Sequence, residues 1–159
     1  MVNLPELKDH ASKHFTYADL CHCSSTWRHT QVENVPLELD TYRAISELCE
    51  EILEPVLAKF GKVELTYGFA GSALTRKIRR QIAPQLDQHA GYERLPSGEF
   101  LCPRLGQAAD FRVPGQASIE VARYIVASLR YDRLYYYGSE QPLHVSIGPE
   151  RTRAIAGNG

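Results

Sequence analysis

The chain has 159 residues, 43% of them hydrophobic and 23% charged, with a formal net charge of -1. This is the size and composition of one ordinary globular domain, long enough to bury a core. The near-neutral balance gives no general pull toward nucleic acid or an anionic membrane, and no run approaches the roughly 18 apolar residues of a membrane span.

Residues 1–14 are polar, with Pro5 early, and are expected to fray. They hold no apolar segment of signal-peptide length, so a cytoplasmic protein is expected unless other machinery, such as a phage holin, releases it. Thr16 is placed to cap a short helix through Asp19 and Leu20. Cys21-His22-Cys23 follows. A C-x-C pair alone is a weak metal signal, and Cys49 and Cys102 add no zinc-finger spacing, so the cysteines read as free thiols. Ser24 to Pro36 has no clear period and reads as irregular, ending in the turn signal Asn34-Val35-Pro36.

Asp40 to Phe60 is the clearest helix. Ile45, Leu48, Cys49, Ile52, Val56 and Phe60 form one apolar stripe, Asp40 can cap its start, and Gly61 stops it. Pro55 predicts a kink or break inside it. Val63 to Phe69 alternates as a strand. Ser72 can cap a second helix through Ile82, ended by Pro84. Asp87 to Pro103, with Gly91, Pro96 and Gly98, reads as a loop. Ala108 to Val113 is a short strand and Ser118 to Leu129 a third helix. Arg133 to Tyr137 and Leu143 to Ile147 are strands with a hairpin-like connection. Residues 150–159, ending Gly-Asn-Gly, are expected to be disordered. The whole, 1–159, reads as a single α+β domain with helices packed on a mostly antiparallel sheet.

The chemistry gathers around Leu105 to Phe111. Gly106, Ala108 and Asp110 make a G-x-A-x-D run. Two small residues on alternate positions before a carboxylate suit a strand passing close beneath a metal. His89 precedes this run and His144, in the alternating Leu-His-Val-Ser, follows it. Two histidines and an aspartate supply three ligands for Zn2+ and leave a fourth position for water, the pattern of a catalytic site. The plain alternative is that each residue is a satisfied structural histidine or a cap.

A collinear series of short matches sharpens this. Phe15-Thr16, Asp19-Leu20, Ser24-Ser25-Thr26, Asn34-Val35-Pro36, Ile52-Leu53-Glu54-Pro55-Val56, Thr66-Tyr67-Gly68-Phe69, Asp87-Gln88-His89, Gly106 to Asp110, Tyr131 to Leu134 and His144-Val145-Ser146 occur in order. Together they resemble the M15 metallopeptidases, the D-alanyl-D-alanine carboxypeptidase and phage-endolysin group, whose fold is shared with the hedgehog signalling domain. The resemblance covers roughly Phe15 to Ser146. It implies a hedgehog/DD-peptidase-like fold, with zinc held by His89, Asp110 and His144. The implied reaction is hydrolysis of a peptide or amide bond by a water whose pKa zinc lowers from about 16 to about 7.

Three departures qualify what the resemblance implies. Ala90 to Leu105 intervenes between His89 and Gly106, so His89 serves only if this insertion loops out; an ungapped alignment would instead put Pro103 on the ligand position. Ala70 stands where the family has an arginine for the substrate carboxylate, so the substrate is expected not to be the usual D-alanyl-D-alanine terminus. The catalytic glutamate is displaced: Glu140, four residues before His144, is the expected general base, with Glu93 in the insertion as second candidate and a solvated turn residue as the competing reading of Glu140.

Gln88, Ser146 and Asp132 are conceivable partners for the imidazoles. Tyr135 and Tyr137 share a strand face that can line a cleft, Tyr136 takes the other, Trp27 edges the cleft or packs in the core, and Cys102 is a distant candidate ligand. The rival class is a non-catalytic binding module on the same fold, in a phage or bacterial conflict setting, with or without structural zinc. A nucleic-acid partner would rest only on the cluster Arg76, Lys77, Arg79 and Arg80 and is not expected, nor is a membrane partner. The sequence leaves the oligomeric state open.

Overall fold

The computed structural model of the protein describes residues 3–157. The elements in chain order are α1 (Tyr17–Cys21), α2 (Ser25–Thr30), α3 (Leu39–Leu48), a π-helical turn (Cys49–Leu53), α4 (Glu54–Phe60), β1 (Glu64–Tyr67), α5 (Ser72–Thr75), β2 (Gln107–Arg112), α6 (Ser118–Ser128), β3 (Arg133–Tyr136), β4 (Leu143–Ile147) and β5 (Ala154–Gly157). The strands form one five-stranded sheet in the order β1-β2-β4-β3-β5. Three pairings are antiparallel, and β3 with β5 is parallel. The class is therefore α+β with a mixed sheet.

Strand alternation divides the sheet into a core face and a polar face. Ala109 and Phe111 of β2, Leu143, Val145 and Ile147 of β4, and Leu134 of β3 enter the main core with Ile45, Leu48 and Ile52 from the long helix and Val121 and Ile125 from α6. The intervening residues, among them Asp110, His144 and Tyr135, fall on the opposite face.

Several expected elements take a different form. The long helix is interrupted where Pro55 demands it. Pro55 has no N–H for the preceding turn, and the spiral widens just before it, with Glu54 N–H donating to the Cys49 carbonyl. Gly61 ends α4 in the left-handed region, at φ 86°. The helix expected from Ser72 to Ile82 stops at Thr75. Arg76, Lys77, Arg79 and Arg80 would repel one another at helical spacing, and only Leu74 of α5 is fully buried. Ser24, expected in irregular chain, instead caps α2 by accepting from Trp27 N–H at 3.0 Å. Thr16 and Asp19 form a reciprocal capping box on α1, as the sequence suggests.

Neither end is loose where described. Ala11 and Ser12 are buried, and Ala18 N–H donates to the Leu7 carbonyl at 2.7 Å, so the segment is held against the fold at these points although most of its residues are exposed. Beyond Pro149 the chain forms β5 beside β3. Met1, Val2, Asn158 and Gly159 lie outside the described residues.

Glu93, considered above as a base, has a structural post. It is 8% exposed and accepts from Leu37 N–H (2.8 Å), Glu38 N–H (3.1 Å) and Thr41 Oγ1 (2.6 Å). A carboxylate from the insertion thus caps α3, whose own Glu38 makes no side-chain cap and whose Asp40 sits inside the first turn. Glu93→Ala strands these donors. It is expected to cost about 2 kcal/mol of stability, read by denaturant unfolding, and to weaken metal retention because the insertion it anchors begins directly after His89.

Candidate metal centre

The site is one rung of the sheet. Tyr67 of β1 pairs with Asp110 of β2, Asp110 with His144 of β4, and His144 with Tyr135 of β3. Strand pairing therefore sets these four side chains side by side on the polar face. His89 comes from outside the sheet. The segment before β2 folds back so that Ala108 N–H donates to the Gln88 carbonyl and Ala70 N–H to the His89 carbonyl, both at 3.0 Å. The residues from Ala90 to Leu105 loop out, and His89 meets Asp110.

His89, Asp110 and His144 bring ligand atoms within 4.8 Å of one another, the only such group among the described residues. His89 Nε2 lies 3.2 Å from Asp110 Oδ1, and His144 Nδ1 lies 2.9 Å from the same oxygen. For donors about 2.0–2.1 Å from a tetrahedral ion, neighbouring ligand atoms stand roughly 3.3 Å apart, so these two edges have the size of a metal polyhedron. His89 Nδ1 is 2.7 Å from the Gly68 carbonyl and must donate to it. That fixes the proton on Nδ1 and turns the Nε2 lone pair toward the carboxylate. Lone pair and anion cannot face each other without a proton or a cation between them.

Without a metal, a proton is the cation that can take this place. Burial works against a charged His89, but the Asp110 charge and hydrogen bond outweigh it and raise the imidazole above its ordinary value. Burial would raise Asp110, yet the two imidazoles hold its carboxyl far below the usual carboxylate range. His144 Nε2 is buried with no protein partner among the described residues. Two imidazole nitrogens and a carboxylate oxygen, with no thiolate, suit zinc or a similar divalent ion. The group could hold a metal ion.

The centre lies in the wall of a cavity of about 980 Å3, lined also by Thr26, Tyr67, Arg80, Asp87, Arg104 and Tyr135. Tyr135 stacks on His144 with ring centroids 4.8 Å apart, and Tyr67 lies 4.0 Å from the His89 ring. Tyr137 shares this face, while Tyr136 packs against the core. Trp27 packs with Tyr67, Ala70 and Leu74 rather than lining the cavity.

Other expected roles fall elsewhere. Glu140 is exposed on the β3–β4 connection, its carbonyl accepts from Arg112, and it is not among the residues lining the cavity. Outside the ligand set, Asp87 is the lining carboxylate; its Oδ1 accepts from His89 N–H at 3.0 Å. Cys102 is buried and donates to the Gln85 carbonyl, and Cys21 and Cys23 are buried thiols whose pKa values burial pushes up, that of Cys23 to about 12. Gly106 is small for a reason unrelated to a metal: it sits at φ 79° against the Ile147 carbonyl.

Gln88, Ser146 and Asp132 bond to one another and to neither imidazole. Ser146 Oγ donates to Gln88 Oε1 (2.7 Å), and Gln88 Nε2 donates to Asp132 Oδ2 (2.8 Å). Asp132, 1% exposed, also accepts from Thr152 N–H and Thr152 Oγ1, which anchors the start of β5. Burial would raise the Asp132 pKa, but these hydrogen bonds, led by Thr152 N–H, depress it. A depressed carboxyl contributes stability above its unfolded value near 3.9, and loses it as pH falls through the folded value. Asp132→Asn is expected to cost about 2 kcal/mol at pH 7, and the gap from the native chain should narrow as unfolding is followed toward pH 3.

Asn34 also proved structural in a way its turn signal hid. Its side chain donates to the Cys21 and Phe69 carbonyls and accepts from Gly71 N–H, bracing the segment that presents Gly68 to His89. Across the described residues no helix is long and apolar enough to cross a membrane. No protein-family model, no curated protein and no solved structure matches the chain.

Proposed function

We propose that the protein is a zinc-dependent hydrolase of the M15 metallopeptidase type, with the hedgehog/DD-peptidase-like fold, acting on a peptide or amide bond other than a D-alanyl-D-alanine terminus. The observation that carries this reading is the convergence of His89 Nε2 and His144 Nδ1 on Asp110 Oδ1 in a cavity wall, with His89 Nδ1 tied to the Gly68 carbonyl. When bound, zinc supplies Lewis acidity, polarising a carbonyl and acidifying water toward neutral pH.

The chain's own residues do the rest. The Gly68 carbonyl fixes the His89 tautomer, and stacking on Tyr135 fixes the plane of His144. Asp87, facing the cavity, takes the proton-accepting role that sequence alone assigned to Glu140. Ala70 is fully buried and offers a substrate carboxylate nothing, in keeping with a substrate other than the family's usual one. A cytoplasmic location belongs to the same proposal, and cell fractionation tests it.

A pool of capped peptides incubated with the zinc-loaded protein and followed by mass spectrometry is the test. Cleavage should require zinc, stop with chelator and be absent in His144→Ala. Asp87→Asn should slow it by about a hundredfold, the usual worth of a general base, while Glu140→Gln leaves it within about twofold. Peptides that are retained but stay intact would favour the second reading, a non-catalytic binding module on the same fold. The exposed position of Glu140 is the observation on that side.

A further inference from the structure

The rung that carries the metal centre ends in a tyrosine on each side, and each tyrosine meets an arginine. At one end the Arg80 guanidinium lies over the Tyr67 ring, 5.0 Å from its centroid. At the other, Arg104 donates from Nη1 to the Tyr135 hydroxyl at 3.3 Å and to the Leu86 carbonyl at 2.8 Å. Arg79 lines the same cavity. Among the described residues none of the three makes an ion pair with a carboxylate. The carboxylates of the cavity are Asp87 and Asp110. Apart from the two imidazoles, three guanidiniums face two carboxylates, a surplus of one positive charge, and a bound divalent cation would add two more.

We infer that the cavity takes a ligand bearing a carboxylate or phosphate group, and that Arg80 and Arg104 are the residues that select it. A guanidinium offers paired N–H donors matched to the oxygens of either anion. Arg104 is half-buried and held in place by two neutral acceptors, so much of its ordering cost is met before a ligand arrives. Arg80 is fixed over an aromatic face rather than spent on a counter-ion. Both arginines come from segments outside the regular sheet: Arg80 from the irregular chain after α5, Arg104 from the insertion before β2. The insertion, which begins directly after His89, therefore adds a charge to the cavity. The inference deepens the hydrolase reading by naming the chemical class of its substrate, and rests on that reading only for the word substrate.

The test uses the full chain without metal, at low salt and pH 7, titrated calorimetrically with inorganic phosphate and, separately, with succinate. At least one anion should bind saturably, and which of them binds identifies phosphate or carboxylate as the group recognised. Arg80→Gln and Arg104→Gln should each weaken that binding by about tenfold or more, while Arg123→Gln on the far helix α6 leaves it unchanged. Circular dichroism confirms that each variant is folded, and the exposed Arg80 provides the cleaner variant if Arg104→Gln loosens the insertion. Absence of saturable binding of both anions, or equal binding by native protein and both cavity variants, would overturn the inference. A protein that takes no zinc but binds anions through these arginines defeats the hydrolase reading alone. One that takes zinc but binds anions without regard to the arginines defeats this inference alone.

Discussion

His144→Ala and Asp110→Asn are each expected to lower zinc affinity by about a hundredfold or more, measured by competition with a chromophoric chelator. Protein zinc sites with four ligands bind with roughly 10–16 kcal/mol at neutral pH, so one ligand represents about 3 kcal/mol, or two orders of magnitude. Asp110 should be the more damaging position, because its Oδ1 is the atom on which both imidazole nitrogens converge. Asn preserves the volume but not the charge, so the loss reads out the carboxylate rather than a cavity. Glu93→Ala acts from a distance, through the insertion, and should weaken affinity by less than either ligand variant. Equal zinc affinity in native protein and His144→Ala would place the metal elsewhere.

Gly106→Ala is expected to have the largest effect on folding. A Cβ built there would meet the Ile147 carbonyl oxygen at 1.9 Å and the Gly148 Cα at 2.7 Å, and φ is 79°. The next residue, Gln107, pairs with Ile147 at the start of β2, so the clash falls on the register that carries Asp110 to His144. The two backbones must part, and a cost above about 3 kcal/mol is a large share of an ordinary domain's stability. Gly61→Ala is the control. Its φ is 86°, but nothing lies within 4 Å of the added carbon, so only the conformational cost of about 1–2 kcal/mol remains. A Gly106→Ala protein with an unfolding midpoint equal to that of Gly61→Ala would show that the β2–β4 register is not constrained in this way.

Periodicity made much of this architecture legible in the sequence. The strands around Ala108–Val113, Arg133–Tyr137 and Leu143–Ile147 were visible because one face of each is apolar and the other is not, and that alternation is also what puts Asp110, His144 and Tyr135 on one side. The stripe from Ile45 to Phe60 was equally plain. What escaped had causes outside local pattern. The chain after Pro149 forms β5 because Asp132, 20 residues away, holds Thr152 at its start. Polar composition at residues 3–14 concealed Ala11 and Ser12, which are packed against the fold. In the helix expected through Ile82, like charges defeated a pattern carried by too few buried residues.

The site divides the same way. Residue types and their order pointed to His89, Asp110 and His144, and the structure brings all three together. The partners of the imidazoles were not legible, because one is a backbone carbonyl, at Gly68, that no side-chain pattern reports. Glu140 looked close to His144 in sequence, but a residue in a turn can point away from its neighbouring strand. Asp87, Arg80 and Arg104 line the cavity from irregular segments, where spacing carries no directional information.

Anomalous diffraction at the zinc edge, on crystals of the full chain grown with one equivalent of zinc, tests the centre most directly. The expected result is a single strong peak within about 2.0–2.2 Å of His89 Nε2, Asp110 Oδ1 and a His144 ring nitrogen. A peak elsewhere on the chain, or none while His89 Nε2 remains hydrogen-bonded to Asp110, would contradict it.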